Sequence, residues 1–236
     1  MIIRLDKYLS DMGLESRSGA KELIRKGNVR INGVVVSKAD TKIDTERDTV
    51  TFKEEDLSYH EFEYYLLNKP AGIISASNDI QATTVIDLIE ENHRTGLFPV
   101  GRLDKNTTGL LLITNDGALA HRLLSPGHHV SKTYEAILAH EASNDDIEAF
   151  AQGIDIGDEK LCLPAKLIID NTEATHVTIT IEEGRYHQIK RMFEARNNEV
   201  IELKRISMGP LVLDESLKEG QYRTLSDEEL NALKSL

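Results

Sequence analysis

Cys162 is the only cysteine of the 236-residue chain, so an internal disulfide is impossible and a thiolate metal cluster is excluded. No apolar run nears the ~20 residues needed to cross a bilayer. The opening MIIRLDKYLSDMGLESR spaces charges through the stretch where a secretory leader would be apolar, so the expected compartment is the cytosol. The phosphate-cradling patterns GxxxxGK[ST] and GxGxxG are absent, as are HExxH and GxSxG. His128 and His129 are adjacent, so on a strand their side chains would diverge, and they read as surface or core histidines rather than metal ligands.

Charge is present in quantity but unevenly. The chain carries −12 in all, yet its first 38 residues hold eight Lys and Arg against four acids. A net +4 on the head leaves −16 for the rest, the pattern of one polyanion-binding module on an acidic body. In the head, Leu5, Tyr8, Leu9 and Met12 fall on one helical face, and Gly13 ends that helix. A second helix runs from about Ser16, its N-cap, to Lys26, with Gly27 beyond the end. Ala20, Leu23 and Ile24 can face inward, while Arg17, Lys21 and Arg25 stack as a cationic stripe on another face. That stripe is either a solvated face or a nucleic-acid contact. Asn32-Gly33 between two β-rich runs predicts a hairpin. The acidic KEEDLSYHEFE, residues 53–63, reads as a linker.

The remainder predicts an α+β fold, because strands and helices do not alternate strictly. EYYLLNKPAGIIS reads as strand, turn, strand, and TTVIDLIEEN as a helix capped by Thr83 or Thr84. GLLLIT, KTYEAIL and THVTITIEEG read as strands; ALAHRLLS, HQIKRMFEARN and SDEELNAL as helices, the last opened by a Ser226–Glu229 capping box.

Two carboxylates flank the GLLLIT strand in GRLDKNTTGLLLITNDG. The roughly five extended residues between them span roughly 17 Å at ~3.3 Å per residue. Asp104 and Asp116 therefore cannot flank one bond as a glycosidase pair. Asp116 reads as a turn or N-cap residue. Asp104 stands between Arg102 and Lys105 at a strand mouth, and is either a cap or turn residue of DKNTTG or a catalytic group kept ionised by a neighbouring cation. A second basic centre lies at 184–205, where Gly184 and Arg185 lead into a helix and offer N–H groups and charge for phosphate.

GRLDKNTTGLLLITNDG resembles the catalytic signature of RNA pseudouridine synthases, preceded by LLNKPAG and followed by SKTYEA and EGRYHQIKRM in that family's order. The likeness runs from about residue 62 to the C-terminus. The head resembles the S-four-type RNA-binding domain, and the pairing is most similar to the small-subunit rRNA (RsuA) branch. The resemblance implies domains at 1–58 (RNA binding) and 59–236 (catalysis), the latter with a mixed, largely antiparallel sheet. It implies that Asp104 starts cleavage of a uridine C1′–N1 bond, as nucleophile or as base. Tyr134 packs on the target base, and Lys190, where many relatives have Arg, pairs with the aspartate. By the resemblance Arg102 would help hold the flipped nucleotide, and Arg185 and the Arg17, Lys21, Arg25 stripe are expected to bind RNA. Neither metal nor cofactor is required. The partner implied is ribosomal RNA or a ribosomal assembly particle, with no membrane, and a monomer is expected. The rival readings are a synthase for large-subunit (23S) rRNA and a non-catalytic rRNA-binding assembly factor.

Overall fold

The computed structural model describes residues 1–57, 59–89 and 95–236. Their contacts fall into two units, Met1–Glu63 with Ile89–Leu97, and Tyr64–Leu88 with Phe98–Leu236.

In the first unit a short strand, β1 (Ile2–Arg4), runs into α1 (Leu5–Asp11), and α2 spans Arg17–Arg25. Ser16 caps α2, its hydroxyl accepting from the Gly19 N–H at 3.1 Å. Leu5, Tyr8, Leu9 and Met12 meet Ala20 and Ile24 in one buried cluster with Val29, Ile43 and Val50. Arg17, Lys21 and Arg25 are exposed. Strands β2 (Val29–Ile31) and β3 (Val34–Val35) form the expected hairpin, with Asn32 at φ 50° and Gly33 at φ 81°. β4 (Lys42–Asp44) pairs antiparallel with β1.

A second hairpin replaces the first part of the expected linker. β5 (Val50–Phe52) pairs with β6 (Glu55–Leu57) across a turn of Lys53 and Glu54 at φ 49° and 70°. Two charged residues at positive φ give no turn signal in sequence, which is why the hairpin was hidden. Beyond it Tyr59 stacks on Tyr8 with centroids 5.0 Å apart.

The second unit is built on nine strands: β7 (Tyr64–Lys69), β8 (Phe98–Pro99), β9 (Thr108–Thr114), β10 (Lys132–Leu138), β11 (Lys166–Ile169), β12 (His176–Ile181), β13 (Val200–Met208), β14 (Leu211–Val212) and β15 (Tyr222–Thr224). Their order is β11-β12-β10-β13-β9-β7-β15, with β8 beside β9 and β14 beside β13. Among the described residues every pairing in this sheet is antiparallel except that of β9 with β13. The fold is the expected α+β, with a mixed, largely antiparallel sheet. Helices α3 (Gly117–Leu124), α4 (Asn144–Gln152), α5 (Gln188–Glu194) and α6 (Asp227–Lys234) complete it.

Alternation on the strands sorts the core. Leu66, Leu110 and Leu112 pack with Leu119 and Leu123 of α3 and Leu233 of α6. Phe150 of α4 and Phe193 of α5 meet with centroids 4.8 Å apart. Each such fully buried side chain contributes about 1.5–3 kcal/mol. Asp116 is the N-cap of α3, accepting from the Leu119 N–H at 2.9 Å and from the Tyr64 hydroxyl at 2.9 Å. The Ser226–Glu229 capping box opens α6, and Arg223 grips Glu229 with two bonds of 2.8 Å.

Two local expectations fail. GIIS is no strand: Ile74 makes one isolated bridge to Thr84. Residues 83–89 hold no helix; the Asp87 carboxylate takes the Thr84 N–H at 2.8 Å and hydroxyl at 2.9 Å, a cap whose helix does not propagate through that stretch. Residues 90–92 of the expected helix lie outside the described residues. His128 ends a 3₁₀ turn and His129 sits at φ 47°, both exposed, as the surface reading of the pair expected.

Candidate active site

Asp104 sits on the turn that feeds β9, and side chains from elsewhere hold that turn on both sides. The Ser75 hydroxyl accepts from the Leu103 N–H at 3.1 Å and donates to the Leu103 carbonyl at 2.9 Å. Lys69, at the end of β7 and fully buried, donates to the carbonyls of Pro70 (3.0 Å), Lys105 (3.1 Å) and Thr107 (2.9 Å). Three acceptors use all three ammonium protons. Burial pushes the Lys69 pKa down to about 8, against the pull of the Asp104 charge. The carboxylate is thus presented from a backbone fixed before any ligand arrives.

Two partners face it. Lys190 Nζ of α5 lies 3.2 Å from Asp104 Oδ2, and His187 Nε2 lies 3.4 Å from Oδ1. His187 is the N-cap of α5 in the left-handed region, φ 49°, a position that costs a non-glycine residue roughly 1–2 kcal/mol. Its ring is stacked on exposed Tyr186, centroids 3.9 Å apart and 15° from parallel.

These groups open on a cavity of about 130 Å³ whose wall includes Arg102, Asp104, Tyr134, Arg185, His187 and Lys190. Five expected site residues, separated by up to 88 positions in sequence, therefore meet in one place. Tyr134 is 7% exposed, on the face of β10 that carries Lys132. Arg102 is exposed at the rim. Arg17, Lys21 and Arg25 belong to the first unit, on the exposed face of α2.

Arg185 is placed differently from expectation. Its guanidinium binds the Glu183 carboxylate at 3.0 Å and the carbonyls of Lys160 and Leu161 at 2.6 Å each, with Asp158 at 3.4 Å. Its backbone N–H donates to Gln188 Oε1 at 3.0 Å. The donors expected for phosphate are spent fastening the 183–188 turn to the 158–161 loop. Arg191 adds to the same clamp through Asp158 and the Tyr186 carbonyl.

Sequence reasoning did not single out Lys69, Ser75, His187, Lys132 or Arg205. A signal existed for two of them: Lys69 ends a β-run directly before Pro70, and Arg205 falls on the inward phase of a strand. The arrangement can hold an ionised carboxylate against a planar group on Tyr134, with cations on several sides.

Known proteins resemble this chain over most of its length. The family model for RNA pseudouridylate synthase matches residues 63–195, and the S4 domain model matches residues 3–50. An uncharacterised RNA pseudouridine synthase of Bacillus subtilis is 44% identical, covering 98% of both chains. The ribosomal small subunit pseudouridine synthase A of Escherichia coli is 39% identical over 97% of this chain and 98% of its own. A crystal structure of a pseudouridylate synthase, 41% identical, superposes with a TM-score of 0.69 over 98% of this chain and 99% of that one.

Proposed function

This chain belongs to the RNA pseudouridylate synthase family, and from that membership we propose that it converts a uridine of small-subunit (16S) ribosomal RNA to pseudouridine. The observation that carries the reading is the Asp104 carboxylate, held by Lys190 and His187 at the cavity that Tyr134 walls. A uridine in folded RNA must leave its stack before it can react, at a cost of a few kcal/mol. Stacking on one aromatic ring returns about 1–3 kcal/mol, the part assigned to Tyr134. Lys190 keeps the Asp104 charge compensated in a half-buried setting. The isomerisation consumes no water, so one acid suffices where a hydrolase needs two. Arg102, exposed at the rim, is assigned to the flipped nucleotide's backbone.

The names of the relatives at about 40% identity support the small subunit as target. In this reading residues 1–58 anchor the rRNA through Arg17, Lys21 and Arg25, and residues 59–236 carry out the chemistry in a cytoplasmic monomer. Pseudouridines mapped by carbodiimide primer extension in a strain lacking this gene test the assignment. One site should vanish from 16S rRNA. A loss confined to 23S rRNA would move the substrate to the large subunit, and no loss in either would leave a non-catalytic assembly role.

A further inference from the structure

Two cations in the cavity wall have no part in the chemistry so far. Lys132 and Tyr134 alternate onto one face of β10, and Arg205 is the residue of β13 opposite Tyr134. Lys132 is 9% exposed and Arg205 2%. Among the described residues neither lies within ion-pair distance of a carboxylate, whereas Lys190 faces Asp104 and Arg185 faces Glu183. Lys132 Nζ donates to the Val130 carbonyl at 2.8 Å and Arg205 Nε to the Leu110 carbonyl at 2.7 Å. Arg205 Nη2 is buried with no hydrogen-bond partner. Burial, and then the charge of Arg205, pushes the Lys132 ammonium below its ordinary range. Two like charges buried side by side without a counter-ion are costly, and folded proteins keep such costs where a ligand relieves them.

The reaction supplies an anion at this place. We propose that Lys132 and Arg205 receive the uracil as it departs and carry its negative charge while it turns over Tyr134. The inference rests on the synthase reading above. When the C1′–N1 bond breaks, its electron pair leaves on N1 and spreads to the two ring carbonyl oxygens, whether Asp104 attacks C1′ or removes a sugar proton. The C1′–C5 bond then forms as the Asp104–C1′ ester breaks, or as Asp104 returns the sugar proton it took; C5 gives up its proton and N1 takes one, so no atom is gained or lost. Donors preset in a buried site stabilise such a developing charge more than the same donors in water. A base stacked on Tyr134 lies beside both cations, since one is its neighbour on the same strand face and the other its cross-strand partner.

Lys132→Met is the test, assayed on 16S and 23S transcripts alongside the parent protein. Losing one such donor should lower kcat about 100- to 1,000-fold. KM should stay within about threefold, because the donors act on the transition state and not on the RNA. The melting midpoint should hold or rise, since an unpaired buried charge has been removed. Lys132→Arg, which keeps the charge, should recover part of the rate. A Lys132→Met protein that turns over at the parent rate overturns the proposal, and so does one that is slow and also melts earlier. A parent inactive on both transcripts would instead overturn the synthase reading.

Discussion

Asp104 owes its standing to neighbours that fix its backbone before they touch its charge. Ser75 and Lys69 tie down Leu103, Lys105 and Thr107, and a displacement of about 1 Å in such a group can cost about 100-fold in rate. Gly109 is the third part of this support. Its φ is 97°, and a Cβ there would stand 2.2 Å from the Arg205 carbonyl oxygen and 2.8 Å from the Arg205 nitrogen. The contact falls where β9 and β13 pair in parallel, Arg205 against Gly109. Gly109→Ala should therefore destabilise the protein by about 2–5 kcal/mol, overpacking added to left-handed strain, read as a shift in denaturant midpoint. An alanine variant as stable as the parent would show that the two strands have room to part. In sequence Arg102 and Lys105 beside Asp104 only nominated it, and the companion motifs in family order singled it out. Lys132 was not singled out, and the strand signals at Lys69 and Arg205 could not show their burial, because it is created by pairings between strands tens of residues apart.

Elements with local punctuation were legible. Ser16 and Gly27 bounded α2, Asn32-Gly33 turned the first hairpin, and Ser226 with Glu229 opened α6. Those whose turn chemistry is unusual were not: Lys53-Glu54 hid a hairpin, and the Thr83 or Thr84 cap suggested a helix that residues 83–89 do not form. Helix α2 carries the prediction of this scale. Its inner face, Ala20 and Ile24, is buried, so Arg17, Lys21 and Arg25 can be changed without opening the core. Arg17 lies 3.9 Å from the buried Asp6, which Arg4 already holds at 2.8 Å, so its loss leaves that carboxylate paired. The triple alanine variant should bind rRNA more weakly, and its log K against log salt slope should fall by up to about 2–3, one phosphate contact per charge. An unchanged slope would make the stripe a solvated face.

At the scale of the whole chain, charge is divided between the two units. The stripe of α2 is presented by one unit, and the other gathers Arg102, Lys132, Lys190 and Arg205 around a single carboxylate despite its acidic total. A body with that total repels RNA in general and admits it where cations are concentrated. The α+β class was legible because the order of strands and helices carries it; the partners of Asp104 were legible only in part, since Lys190 came from a motif and His187 from the fold. The central claim is that Asp104 performs the isomerisation, and mass spectrometry of 16S rRNA incubated with parent and Asp104→Asn proteins tests it most directly. The parent should convert one uridine to pseudouridine, and the variant, which binds the same RNA, should leave that uridine unconverted. Conversion by Asp104→Asn at the parent's rate would contradict the account.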